Sequence, residues 1–333
     1  MLMGQVTLKK LEFSTRRFLI PNIPITTYPG AKESLSTITE FVCSSNIDSV
    51  IFYHMSQICH NIESLSITLE NVISNGLTDL ISVQRNLKYL DILHECNDVM
   101  YVPPLITNLN DTVTKLRLEG RYLIPLSFIS KLTNLQELLL SFRFEGFEDM
   151  EYISLPNLQI LKFYYNVLIP KPLTTFLENS GRNLRELDLH NTNDDSLNLA
   201  VAKFCSNLKS LRTVIQDEES ATLKMILKGC LQLESIYLLC GSTYLDESRL
   251  IEIIVDYSPK YFHELNMDYV GDLEHQLFSI ALAPVFKRWT YRTPKITLSL
   301  FIVGFCGIRR ASKRVIIDFH KLGIIKFGTT NSY

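Results

Sequence analysis

The chain has 333 residues, with 33 Lys and Arg against 35 Asp and Glu, a net charge of −2 and 46% hydrophobic residues. This composition excludes a largely disordered chain, and the near-neutral charge excludes the broad positive field that general nucleic-acid binding requires. Leucine is the outlier, at 51 residues against 13 glycines and 12 prolines. Such an excess indicates an internal repeat.

Copies of the pattern L-x-x-L-x-L, with any apolar residue allowed at each leucine position, recur along the chain. The central residues are Leu11 and Phe41 in two weaker copies, then Leu65, Leu90, Leu116, Leu138, Leu161, Leu187, Leu211, Ile236 and Leu265. Successive copies lie about 25 residues apart, which is within the range of leucine-rich repeats.

Each copy predicts a short strand, because alternating residues of x-L-x-L-x point to opposite faces of a sheet. Apolar residues at helical spacing over 49–59, 220–228 and 247–257 predict helices between the strands. One strand and one helix bury too little apolar surface to fold alone. Neighbouring steps must therefore stack on one another.

The sequence thus predicts an α/β leucine-rich-repeat solenoid of about 11 repeats, with a curved parallel sheet on its concave side and helices on its convex side. A single domain is expected over 1–333. Residues 1–30 hold an uncapped first strand copy and a loop, 31–270 the regular repeats, and 271–333 a C-terminal cap of mixed helix and strand. The apolar run 296–308 is shorter than the ~20 residues that cross a bilayer and predicts a buried strand.

The lack of a secretory signal at the start of the sequence and the spacing of the cysteines favour an intracellular protein, either cytoplasmic or nuclear. The first ten residues lack the apolar stretch of a secretory signal peptide. The seven cysteines include no C-x-x-C pair, which favours free thiols over a disulfide framework or a zinc site. No membrane partner is expected.

Two features of the repeat concern its turns. Cys59, Cys205 and Cys230 each lie three residues before the first apolar residue of a strand copy. A small apolar residue that closes the helix-to-strand turn explains them better than metal binding or thiol catalysis does. The asparagine expected five residues after the central position is present only at Asn46 and Asn166, which predicts irregular loops after the strands.

No nucleotide-binding, nucleophile-elbow or zinc-protease motif occurs in the sequence, and we predict neither a catalytic site nor a cofactor. Asp188 and His190 supply a carboxylate and an imidazole two residues apart, so a hydrolase remains a remote alternative. Both residues are x positions of a strand copy, and alternation already explains their polarity.

The predicted concave face consists of the outward x residues, and such a face is where repeat proteins bind partners. Tyrosine and arginine there are typical of protein interfaces. The candidate contact residues are Tyr89, Arg117, Leu139, Lys162, Tyr164, Asp188, His190, Arg212 and Tyr237. They form no basic stripe, so a protein partner is expected and a nucleic acid is not.

Several segments resemble a family of fungal F-box/leucine-rich-repeat proteins, known especially from mycorrhizal fungi. They are FVCSSN at 41–46, NLKSL at 207–211 with the segment 223–236, YSPKYFHEL at 257–265, and HKLGIIKF at 320–327. The resemblance implies repeats that select the substrate of an SCF-type, cullin-RING ubiquitin ligase, behind an F-box that docks the ligase adaptor. About seven residues precede the first strand copy, so the F-box itself is expected to be missing, and an adaptor would bind only if one is supplied upstream. The alternative is a free-standing scaffold or inhibitor unrelated to ubiquitination.

Overall fold

A computed structural model describes most of the chain and divides it into two compact units, Met1–Leu158 and Gln159–Tyr333, here called unit 1 and unit 2. The single domain expected from the sequence stays a prediction, and each unit is described by itself. The described residues are 7–13, 28–70, 73–94, 109–120, 126–141, 147–164, 170–190, 192–240, 244–269, 276–277, 282–303, 307–308 and 310–330.

Unit 1 alternates parallel strands with helical segments. Its elements are β1 (Lys10–Phe13), α1 (Ala31–Leu35), β2 (Glu40–Ser44), α2 (Ser49–Ser56), β3 (Ser64–Leu69), α3 (Asn75–Ser82), β4 (Tyr89–His94), β5 (Lys115–Glu119), a 3₁₀ helix (Leu126–Lys131), β6 (Glu137–Ser141) and a second 3₁₀ helix (Phe147–Tyr152). Strands β1 to β6 pair in chain order, and the pairs bring the predicted central residues Leu11, Phe41, Leu65, Leu90, Leu116 and Leu138 into one row.

Unit 2 repeats the same step. Its elements are β7 (Ile160–Tyr164), α4 (Pro170–Ser180), a 3₁₀ helix (Gly181–Asn183), β8 (Glu186–Asp188), α5 (Asp195–Phe204), β9 (Ser210–Thr213), a 3₁₀ helix (Asp217–Glu219), α6 (Ser220–Gly229), β10 (Ser235–Cys240), α7 (Glu247–Tyr257), β11 (Glu264–Tyr269), β12 (Gln276–Leu277), α8 (Leu282–Trp289), β13 (Leu298–Val303), β14 (Gly307–Ile308), α9 (Arg310–Lys321) and β15 (Ile325–Thr330). Its main sheet is parallel, in the order β7-β8-β9-β10-β11-β13-β15, while β12 pairs with β14.

The apolar residues of the repeat form the core of each unit. Leu138 and Leu187 are fully buried, as are the central residues of the neighbouring strands. Helices α2, α5 and α7 begin where an aspartate accepts a hydrogen bond from a first-turn backbone N–H, at Asp48, Asp194 and Asp246. This strand–helix step, repeated in parallel register, confirms the predicted α/β leucine-rich-repeat fold.

The turn before each strand joins one repeat to the preceding one. Cys59, Cys205 and Cys230 are buried there, as predicted, and the Cys59 thiol donates to the Leu35 carbonyl over 3.3 Å. Burial raises the pKa of the Cys59 and Cys230 thiols to about 12, which keeps both protonated and unreactive at neutral pH.

An asparagine ladder also forms in the turns before the strands, whereas the predicted asparagines follow the strands. The side-chain amides of Asn134, Asn157 and Asn207 each donate to a backbone carbonyl of the preceding repeat, over 2.9–3.0 Å. A turn leaves some backbone carbonyls without a backbone N–H donor, and here the asparagine side-chain amide donates that hydrogen bond. Asn166, predicted for the other ladder, lies outside the described residues.

The region predicted as a cap continues the parallel sheet. Strand β13 lies within the predicted buried run 296–308, and its residues Leu298, Leu300 and Ile302 are buried, which confirms that strand. Leu300 and Phe327 pair in the row of central residues that Leu265 belongs to. The spacing from Leu265 to Leu300 is longer than the usual step, and for that reason the sequence period fades there.

Truncation of a central leucine tests the register. We expect Leu138→Ala in unit 1 and Leu187→Ala in unit 2 each to lower the free energy of unfolding by ~2–5 kcal/mol, since each leaves a cavity in the core. Urea titration followed by circular dichroism measures the loss. Leu231→Ala, at a leucine that is 64% exposed, is the matched control and should change little. Unchanged midpoints for both core variants would contradict the assigned register.

Candidate partner-binding face

In each unit, the strand side chains that alternate with the buried ones form a second face of the sheet, called the open face below. All nine candidate residues lie on it or at its edge and are partly exposed: Tyr89, Arg117, Leu139, Lys162, Tyr164, Asp188, His190, Arg212 and Tyr237. Alternation along the strand points these side chains away from the core. Side chains of the strands on either side flank each of them and cover part of its surface.

Strand register places six of the nine candidates in one row in each unit, beside Asp91 and Asn266. In unit 1, Asp91, Arg117 and Leu139 stand side by side on β4, β5 and β6. In unit 2, the row runs through Lys162, Asp188, Arg212, Tyr237 and Asn266 on β7 to β11. Residues that lie about 25 positions apart in sequence therefore become direct neighbours.

The unit 1 row uses its arginine internally. The Arg117 guanidinium contacts Glu119 of its own strand, with Nη2 and Oε2 2.5 Å apart, and its Nε lies 3.8 Å from an Asp91 oxygen. The Tyr89 hydroxyl donates to the other Asp91 oxygen over 3.2 Å. Burial raises the pKa of the Asp91 carboxyl, against the opposing effect of the Arg117 charge. The Arg117 guanidinium is thus already hydrogen-bonded to the Glu119 carboxylate.

The unit 2 row holds its arginine differently. The Arg212 guanidinium stacks on the Tyr237 ring, 4.0 Å from its centroid. Carboxylate oxygens of Asp188 and Asp268 each lie 4.0 Å from an Arg212 nitrogen, which is too far for a hydrogen bond. The Tyr237 hydroxyl donates to Asp268 over 2.6 Å, and this bond fixes the ring under the guanidinium. Among the residues the structure describes, the Arg212 side chain donates no hydrogen bond, although it is only 28% exposed.

The hydrogen bond that joins Asp188 and His190 belongs to the turn that follows β8. An Asp188 oxygen accepts the backbone N–H of His190 over 2.8 Å, so this carboxylate oxygen supports the turn instead of orienting the imidazole. His190 follows β8 with φ of +46°, in the left-handed region that few side chains adopt. Its ring packs edge-on against Tyr164, with the centroids 6.3 Å apart. The geometry gives no support to the hydrolase alternative.

Three carboxylates beside the two rows were absent from the candidate set, as was Asp91 within the unit 1 row. Glu119 contacts Arg117, Asp268 contacts Tyr237, and Glu186 contacts Lys162 at 2.7 Å. Each lies two residues from a row position on its own strand, so the same alternation identifies it once the rows are known. The sequence signal was present, but it did not distinguish these carboxylates from other surface acids.

Two further findings concern the described residues alone. No group of three or more His, Cys, Asp and Glu side chains among them is placed to hold a metal ion. No helix that the structure describes has the length and apolar character needed to cross a membrane.

The sequence comparisons leave the family open. No protein-family model matches the chain. Among curated proteins, the chain is similar to a histidinol-phosphate aminotransferase of Buchnera aphidicola subsp. Cinara cedri (strain Cc), at 25% identity over 164 residues. The match covers 44% of this chain, and the chain spans less than half of that relative, 46%. This identity and coverage are too low to assign the aminotransferase family to the chain.

The structural comparisons show the fold. The chain is similar to TLR13, solved as a complex with ssRNA13, with a TM-score of 0.53 and 16% identity over 97% of this chain and 54% of that chain. The chain therefore spans about half of TLR13. Lower scores relate it to the yeast Rad7 and Elc1 complex (0.43, 16% identity, 84% of this chain and 74% of that chain) and to the leucine-rich-repeat-containing protein LegL7 of Legionella pneumophila (0.39, 11%, 97% and 91%).

The pKa of His190 depends on its burial and on the nearby charge of Arg212. Burial lowers the pKa of the imidazole below 6.5, and the Arg212 charge lowers it further. Since the folded state then binds fewer protons than the unfolded state, the stability that this lowered pKa provides is present above pH 6.5 and is lost as the pH falls through the folded value.

We expect an NMR titration of His190 to show a midpoint below 6.5, and Arg212→Met to raise that midpoint because it removes the nearby positive charge. Arg117→Met, the equivalent change in unit 1, should leave the His190 midpoint unchanged. A wild-type midpoint at or above 6.5, or no response to Arg212→Met, would show that Arg212 does not act on this ring.

Proposed function

We propose that the chain is a protein-recognition module without a reaction of its own, and that it contacts its partner through the open face of unit 2. One observation carries this proposal: the guanidinium of Arg212 is stacked, mostly buried and without a hydrogen bond among the described residues. Arginine and tyrosine anchors of this kind dominate the binding energy of protein interfaces.

The unused donors of Arg212 indicate what the partner supplies. A guanidinium has five N–H donors in a rigid fork, and leaving them unpaired as a partner approaches would be unfavourable. Asp188 and Asp268 already compensate its charge from 4.0 Å without accepting hydrogen bonds. A neutral acceptor, such as a backbone carbonyl of a peptide, satisfies the donors without adding a third negative charge beside the two carboxylates.

The two arginines at equivalent row positions therefore have different roles. Arg117 is followed two residues later by Glu119, which binds it, whereas Arg212 is followed by the buried Val214. Stacking on Tyr237 holds the Arg212 fork in place, so little side-chain entropy is lost when a partner binds. Tyr164 and His190 extend the same face with aromatic surface.

The finer proposal concerns ubiquitin ligases. The resemblance of the segments at 41–46, 207–236, 257–265 and 320–327 to fungal F-box/leucine-rich-repeat proteins supports a substrate receptor of an SCF complex. In that case the repeats bind the substrate, and an F-box outside the repeats binds the adaptor. A free-standing scaffold or inhibitor uses the same open face but has no adaptor.

Substitution at the stacked pair tests the recognition surface. We expect Arg212→Met and Tyr237→Ala to weaken capture of a partner, identified by mass spectrometry with the wild-type chain, by about thirtyfold or more, as hot-spot truncations do. Arg117→Met is the matched control and should capture the partner normally. Equal capture by all variants would place the interface elsewhere.

An adaptor experiment separates the substrate receptor from the free-standing scaffold. We expect the purified adaptor of a cullin-RING ligase to bind a version of this chain that carries an F-box before the repeats, and the captured partner to be ubiquitinated by the assembled ligase. A partner that binds the open face but is never ubiquitinated favours the scaffold.

A further inference from the structure

A second surface of unit 2 lies away from the open face, at the ends of its helices. It comprises the last turns of α5 to α8 and the turns that follow them, residues 199–207, 224–232, 252–261 and 284–297, here called the basic edge. These segments hold eight Lys and Arg but only two Asp and Glu, in a chain whose net charge is −2. Positive charge is therefore concentrated on this edge.

Among the described residues, most of these cations have no carboxylate partner. Asp256 pairs with Arg288 at 2.9 Å. No ion pair within the described part of the chain involves the lysines of the edge, Lys203, Lys224, Lys228, Lys260, Lys287 and Lys295. Cations favour helix C-termini in general, but α3 and α4 end without a basic residue in the last turn. The fold therefore does not require this concentration of lysines.

Aromatic rings hold several of the ammonium groups. Lys224 and Lys228 of α6 both lie over the Tyr257 ring of α7, 5.2 and 5.3 Å from its centroid. Lys203 lies 4.6 Å from the centroid of Phe204. Because the ammonium groups occupy these ring faces, the rings offer little surface for stacking of nucleic-acid bases. The positioned ammonium groups instead suit carboxylates.

The same edge exposes apolar surface. Met225, Leu231, Tyr257, Tyr261 and Tyr291 are all exposed there, and Tyr291 reaches 72%. They are five of the eleven exposed large hydrophobic side chains among the described residues. Tyrosine and methionine beside positive charge are typical of a protein interface, and such a cluster of exposed apolar groups marks a binding surface.

A hollow adjoins the edge where α8 ends and the turn from α9 enters β15. Its volume is about 340 Å³, and Trp289, Lys295, Ile296 and Leu322 are among the residues that line it. The Trp289 indole donates to the Ile296 carbonyl over 2.8 Å, which fixes one wall, and Leu322 is 70% exposed at another. The hollow has the size and lining to hold an apolar side chain.

Close contacts between successive helices make the edge one continuous surface. A Cβ on Gly229 would lie 2.1 Å from the Ala202 carbonyl oxygen, so α5 and α6 approach each other too closely for any larger residue. Arg292, in the turn after α8, donates to the Ser258 carbonyl and the Pro259 carbonyl at the end of α7. The lysines and the hollow therefore lie on connected helix ends.

We propose that the basic edge binds an acidic segment of a partner protein, with carboxylates on Lys203, Lys224 and Lys228 and an apolar side chain in the hollow beside Leu322. This surface lies on the helical side of unit 2 and does not depend on the open face. A chain that selects one protein on its sheet can therefore dock a second, acidic protein on its helix ends.

The test measures fluorescence anisotropy of a labelled synthetic peptide of alternating glutamate and leucine with the full chain. We expect Lys224→Glu/Lys228→Glu to weaken binding by about tenfold or more, through lost attraction and added repulsion. Leu322→Glu should also weaken it, because a carboxylate then blocks the hollow. Circular dichroism melting checks that each variant folds.

Lys32→Glu/Lys131→Glu is the matched control, since it makes the same charge change at two exposed lysines of unit 1 and should leave binding intact. The proposal is overturned if the wild-type chain does not bind the peptide or if the control weakens binding as strongly. Tighter binding of polyuridylate than of the peptide would assign the edge to nucleic acid instead. Arg212→Met, which impairs the open face, should bind the peptide normally and so separates this surface from the one proposed for recognition.

Discussion

The fold depends on one constraint: no single strand–helix step buries enough apolar surface to be stable, so every step must stack on its neighbours. Stacking places the central residues of the repeat, such as Leu138 and Leu187, in fully buried rows. Strand alternation then fixes the remaining side chains on the open face. The rows of the open face are thus a direct consequence of core packing, and a change of register by one residue would exchange the two faces.

Single neighbouring residues decide how the arginine of each row is held. Arg117 and Arg212 occupy equivalent positions, but Glu119 neutralises and binds the first, whereas Tyr237 stacks under the second. A stacked guanidinium is rigid yet keeps its donors available, a combination suited to recognition. Asp188, which was the candidate catalytic carboxylate, instead supports a turn and compensates the charge of Arg212.

Unit 2 presents two surfaces of different chemistry. Its open face combines arginine with carboxylates, whereas its basic edge carries lysines stacked on aromatic rings and exposed apolar groups beside a hollow. The first surface suits neutral hydrogen-bond acceptors, and the second suits carboxylates. The first surface is formed by strand residues and the second by helix ends and the turns that follow them, so the two share no residue.

The sequence by itself determined the repeat, its parallel α/β fold, helices such as α7, the buried turn residue Cys59 and the set of row positions, because periodicity and alternation are local properties. It did not determine the partners of the charged side chains. Asp268 reaches Tyr237 across neighbouring strands, and the Lys224 ammonium reaches the Tyr257 ring across two helices. Such contacts depend on strand register, helix spacing and rotamers, which only the tertiary structure decides. The sequence also did not show that the parallel sheet continues beyond Leu265, because the longer step before β13 interrupts the repeat period.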